Sequence, residues 1–99
     1  MYLTPHIPQI RNLCEQHKVE RLYAFGSVLT ERFSEGSDVD FLYIFRDDVP
    51  LLDIVDYYFN FQNDLERTLC HSVDLVSEKD LKNPYFIKEV NATKQLIYG

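Results

Sequence analysis

Ninety-nine residues with sixteen acidic and ten basic side chains, a net charge of −6 and 45% apolar residues describe one domain, residues 1–99, with room for a single core. Seven Phe and seven Tyr exclude disorder. The lysines and arginines lie singly, so the basic stripe of a nucleic-acid footprint is missing and direct nucleic-acid binding is not expected. Cys14 and Cys70 suggest neither a disulfide framework nor a zinc site. The first ten residues carry Pro5 and Pro8 and no apolar run, and no stretch approaches the ~18 apolar residues of a membrane span. A soluble, cytoplasmic protein is expected.

In chain order, Ile7, Ile10, Leu13 and Cys14 recur at helical spacing over residues 7 to 18, with Pro8 in the first turn. Residues 19 to 25 read as a strand ending at Gly26. A short helix is predicted from Ser27 to Phe33, and Ser34 to Ser37 form a loop. Residues 38 to 45 are the clearest strand; beyond Asp40 both faces are apolar, so it should be central and covered on both sides. A long helix is predicted from about Leu51 to Leu69, its inward stripe Leu51, Val55, Tyr58, Phe61 or Gln62, Leu65 and Leu69. Tyr57 and Phe59 fall on its flanks, an aromatic surplus that favours a protein partner. Ser72 to Ser77 is a further strand, Glu78 to Lys82 one helical turn, Asn83-Pro84 the start of a helix carrying Phe86, Ile87 and Val90, and Gln95 to Tyr98 a terminal strand. Strands alternating with helices make an α/β arrangement with helices against one sheet.

The chemistry concentrates at Gly26-Ser27 and, ten residues on, Asp38-Val39-Asp40. Two carboxylates one residue apart on a strand share a face, about 7 Å apart along it, and can hold divalent cations. A carboxylate pair buried there would cost several kcal/mol unless cations neutralised it. Gly26-Ser27, at the start of a short helix, offers N–H groups and a hydroxyl to a phosphate, and Ser27 also reads as an N-cap. Asp74 stands alone among Val73, Leu75 and Val76. If its strand lies beside residues 38 to 45 it reaches the same metal and accepts a proton from an incoming hydroxyl; on an edge it would simply face solvent. His6, His17 and His71 have no ligand spacing and read as surface or packing residues.

With Phe25-Gly26-Ser27, Ser37-Asp38-Val39-Asp40, Val73-Asp74-Leu75-Val76 and the run Asp80 to Tyr85, the chain resembles the nucleotidyltransferase superfamily that includes DNA polymerase beta. In particular it looks like the minimal nucleotidyltransferases (MNT) that serve as antitoxins. The resemblance covers residues 8 to 98 and implies a small mixed sheet with helices packed on it, an α+β fold. It further implies metal-dependent transfer of a nucleoside monophosphate, AMP from ATP, to a hydroxyl, with release of pyrophosphate. Asp38, Asp40 and Asp74 would be the catalytic residues and hold two Mg²⁺ ions, and Gly26 and Ser27 would bind the nucleotide. The implied acceptor is a tyrosine of a helical HEPN-domain toxin, as homo- or hetero-oligomer. The alternatives are transfer to a small-molecule hydroxyl, or neutralisation of a partner by binding alone. Many relatives carry Arg three residues after the motif serine, then Gly; here Thr30 and Glu31 stand there, and Arg32 follows.

Overall fold

Pro5 and Pro8 occupy opening positions, where a helix has no use for the N–H they lack. The chain winds up from them through a 3-10 turn, Thr4–His6, into helix α1, Ile7–Gln16, which buries Ile10 and Cys14. Lys18, at φ 57°, reverses the chain into strand β1, Val19–Phe25. The computed structural model describes residues Met1–Gly99. After a 3-10 turn, Gly26–Leu29, come strand β2, Val39–Phe45, and helix α2, Ile54–Leu69, the latter preceded by a 3-10 turn, Leu51–Asp53. Strand β3, Val73–Ser77, a 3-10 turn, Glu78–Asp80, helix α3, Pro84–Thr93, and strand β4, Gln95–Tyr98, complete the chain. Asn83 caps α3, its Oδ1 accepting from the N–H groups of Tyr85 at 2.9 Å and Phe86 at 3.3 Å.

The strands form one mixed sheet in the order β3-β2-β1-β4. β1 runs antiparallel to β2 and to β4, and β2 runs parallel to β3 with α2 as the crossover. The predicted α+β arrangement of a small mixed sheet with packed helices is the one found, and β2 is interior as its two apolar faces require. On one face Val39, Phe41 and Tyr43 join Ile10, Cys14, Phe61, Leu65 and Leu69 in the main core beneath α1 and α2. On the other, Leu42 packs with Phe25 and with Val90 of α3. Each large side chain so buried stabilises the fold by roughly 1.5–3 kcal/mol. No helix is long and apolar enough to cross a membrane.

Two elements differ from the sequence expectation. The inward stripe of α2 starts at half-buried Ile54 and continues through Tyr58, Phe61, Leu65 and Leu69, so Val55 is 63% exposed and Leu51 82% exposed. The 3-10 turn at Leu51–Asp53 winds at three residues per turn, which breaks the phase that would have carried Leu51 inward. The helix predicted from Ser27 to Phe33 is only the turn Gly26–Leu29. Thr30 leaves it in extended geometry, φ −123° and ψ 167°, and its Oγ1 donates to the Ser27 carbonyl at 2.9 Å, closing the turn.

Candidate active site

Strand register makes the site. In the parallel pair Asp40 stands opposite Asp74, and in the antiparallel pair Phe25 stands opposite Asp40. Asp40 and Asp74 therefore share a face on neighbouring strands, which lie about 4.8 Å apart. Asp38 immediately precedes β2, two residues from Asp40. Gly26 follows Phe25 at φ 77°, and its backbone presses against the Asp40 side chain so closely that a Cβ there would sit 2.5 Å from Oδ2. Only glycine tolerates both the positive φ and this approach. Gly26, Ser27, Asp38, Asp40 and Asp74 are thus gathered at one end of one sheet face, beside α3.

The carboxylates are not buried as the sequence suggested. Asp38 and Asp74 are exposed and Asp40 is half-buried; the fully buried residues are all apolar. Asp38 lies just outside the strand and Asp74 on the edge strand, so water reaches both. Asp40 is the perturbed group: burial first, then the negative charges of Asp74 and Asp38, push its pKa up to about 6. The three side chains do not converge into a three-ligand cluster. All-oxygen donors suit a hard divalent cation such as Mg²⁺. Asp40, held in partial burial against two like charges, is the group whose ionisation such a cation would most relieve, so the residues fit the metal.

Ser27 is not an N-cap. The cap position belongs to Phe25, no side chain bonds there, and Ser27 lies half-buried within the turn. Beside that turn is a cleft of about 510 Å³, lined by Gly26, Ser27, Thr30 and Arg32 on one wall and by Glu89 and Thr93 of α3 on the other. A groove of about 560 Å³ on α2, lined by Asn60, Asn63, Asp64, Glu66 and Arg67, contains none of the site residues.

Several residues that hold the site were not singled out from sequence. Gln62 Nε2 donates to the Val73 carbonyl at 2.9 Å, and the Val73 N–H donates to Glu66 Oε2 at 2.9 Å. These two side chains, one helical turn apart on α2, satisfy the outer edge of β3 next to Asp74. Their spacing of four was the available signal. Asp38 is held from both sides, by the Val39 N–H donating to the Ser72 carbonyl at 2.9 Å and by His71 Nδ1 bonding the Ser37 carbonyl at 3.2 Å. The His71 ring also packs against Tyr2 and Phe33, with centroids 4.9 and 4.8 Å away. Nothing in the local sequence signals that role.

The family model described as polymerase beta, nucleotidyltransferase matches residues 8–99. The chain therefore belongs to the polymerase beta nucleotidyltransferase family and is a nucleotidyltransferase. It is 33% identical over 86 residues to "Putative protein adenylyltransferase MJ1217" of Methanocaldococcus jannaschii, a match spanning 87% of this chain and 82% of that one. A solved structure described as "putative minimal nucleotidyltransferase" superposes with a TM-score of 0.75 at 30% identity, covering 94% of this chain and 90% of the other. A chain in the complex of a tri-AMPylated Shewanella oneidensis HEPN toxin with MNT antitoxin shares the fold, with a TM-score of 0.66 at 19% identity over 100% of this chain and 73% of that one.

Proposed function

We propose that this chain is a metal-dependent protein adenylyltransferase that transfers AMP from ATP to a tyrosine hydroxyl of a HEPN-domain partner in the cytoplasm, acting as the antitoxin of that pair. The observation that carries the reading is the register that sets Asp40 opposite Asp74 while Gly26 packs against the Asp40 carboxylate. Asp38, Asp40 and Asp74 hold Mg²⁺, and Gly26 and Ser27 hold the triphosphate. When bound, the metal neutralises the phosphates and orders the oxygens of an in-line displacement. The acceptor hydroxyl oxygen attacks the α-phosphorus, its proton passes to Asp74, and the bond to the pyrophosphate oxygen breaks. Asp74 suits this role because it is exposed at the sheet edge, where an incoming protein side chain can reach it.

A protein acceptor agrees with the apolar surface at the start of α2, where Leu51, Leu52, Val55 and Phe59 are all exposed. The relative named as a protein adenylyltransferase and the AMPylated toxin complex point the same way. The test is intact-mass spectrometry of proteins co-purifying with the chain after incubation with ATP and Mg²⁺, beside an Asp38→Asn control. A partner gaining AMP units with the native chain alone is the expected result. A stable partner that gains no mass overturns transfer to protein.

A further inference from the structure

One flank of α2 carries an apolar stripe that the fold itself does not use. Leu52, Val55 and Phe59 recur at spacings of three and four, so they share one side of the helix, and they are 94%, 63% and 53% exposed. The same flank continues through Gln62, three residues past Phe59, whose Nε2 donates to the Val73 carbonyl at 2.9 Å. The stripe therefore starts at the end of the sheet where β2 and β3 finish and runs back for about 15 Å, at 1.5 Å per residue, to the residue beside Asp74. Asp53 and Asp56, each one position past a stripe residue, border it on the side away from the sheet. Both are exposed and take part in no ion pair, and from Asp47 to Glu66 the chain has no Lys or Arg. A helix start favours acidic residues, which accounts for the two aspartates but not for three apolar neighbours turned to water.

We propose that this stripe is the docking site of the acceptor protein, and that it takes a helix whose apolar face is bordered by Lys and Arg. The inference rests on the proposed function and adds to it where the acceptor protein is held and by what chemistry. A helix fits because side chains at spacings of three and four form a ridge that interdigitates with the ridges of another helix. The basic border follows from Asp53 and Asp56, which have no cation of their own. A second copy of this chain is the poorer occupant. Pairing two such stripes face to face would bring the Asp53 and Asp56 carboxylates of both copies together, with no basic residue in the segment to offset them and a net charge of −6 on each copy. A helix held along the stripe lies beside the edge strand that carries Asp74, so the contact that binds the acceptor protein also brings its hydroxyl-bearing segment to the site.

The test is titration of the isotope-labelled chain, without nucleotide, with two synthetic helical peptides that share one leucine stripe, bordered by Lys in the first and by Glu in the second. Binding is read from amide chemical shifts, and thermal melts establish that each variant is folded. The Lys-bordered peptide should bind the more tightly and shift the amides of residues 51 to 60. The Leu52→Ser, Phe59→Ser double variant should weaken that binding about tenfold or more, the scale of two apolar side chains lost from a contact. The Asp53→Asn, Asp56→Asn double variant should narrow the preference for Lys over Glu. Equal binding of the two peptides, shifts centred on Asn63, Asp64 and Arg67 instead, or unchanged binding by the folded Ser variant overturns the proposal. So does a native dimer, seen by sedimentation, that the two Ser substitutions disperse, since it gives the stripe to a second copy. With no nucleotide present, these results are independent of the mass test of AMP transfer: failed docking leaves the proposed function standing, and docking stands even where the partner gains no AMP.

Discussion

Asp40 is where the conflicting demands on this chain meet. The residue sits on an interior strand, half-buried, between two further carboxylates, and its pKa is raised to about 6 in consequence. The neighbouring backbone is equally constrained, because Gly26 must lie at φ 77° against the Asp40 oxygens. Gly26→Ala combines a disfavoured φ with a clash against Oδ2, and should cost about 1–3 kcal/mol of stability in urea denaturation. It should also remove nucleotide transfer at temperatures where the variant is still folded, since the easiest relief is to push the Asp40 carboxylate aside. Native stability and native transfer in the Gly26→Ala variant would show that the close approach has no role. Both thiols lie outside this arrangement. Cys14 is buried in the main core, which pushes its pKa up to about 12, and Cys70 ends α2 in the left-handed region at φ 54°.

Among the elements, α2 serves two ends with two halves. From Phe61 onward it is a core helix, and Gln62 and Glu66 extend from its flank to the backbone of β3. Its first turns, with the 3-10 turn before them, direct apolar residues outward: Leu52 is 94% exposed and Phe59 53% exposed. Tyr57, the other flank aromatic, is half-buried against Phe45 at a centroid distance of 6.3 Å. Leu52→Ser and Val55→Ser should therefore change stability by no more than about 0.5 kcal/mol, while Phe61→Ala should cost about 3–5 kcal/mol, as measured by urea denaturation. On the proposed function the two Ser variants should also weaken capture of the partner. Stability losses at Leu52 or Val55 approaching that at Phe61 would place these side chains in the core instead.

At the scale of the whole molecule, the sheet is divided between stability and chemistry. α1 and α2 cover one face with the larger core, and α3 covers only part of the other, leaving Asp38, Asp40 and Asp74 open at the end where β2 and β3 begin. β4 closes the opposite side of the sheet by pairing with β1, and Arg11 Nε of α1 donates to the Ile97 carbonyl at 3.0 Å, tying helix to strand. Deleting residues 94 to 99 would uncover the edge of β1 and remove buried Ile97. The truncated chain should lose its cooperative thermal transition or aggregate, read by circular dichroism and light scattering. A soluble truncation with native melting would show that three strands suffice.

The sequence determined the elements whose patterns are local. The double-sided apolarity of the strand after Asp40 was enough to place β2 inside the sheet, and the Gly-Ser and Asp-x-Asp spacing was enough to point to the family. What periodicity could not settle was phase and pairing. Ile54 and Val55 are equally apolar neighbours, and the turn before α2 decides which one faces inward. Whether Asp74 would join Asp40 depended on β3 lying parallel beside β2 in register, a long-range pairing created by the α2 crossover. The bracing of Asp38 by His71 likewise draws on residues far apart in the chain. Residue type and local spacing set which groups the chain offers for chemistry; strand pairing, set by tertiary packing, decides which of them stand together.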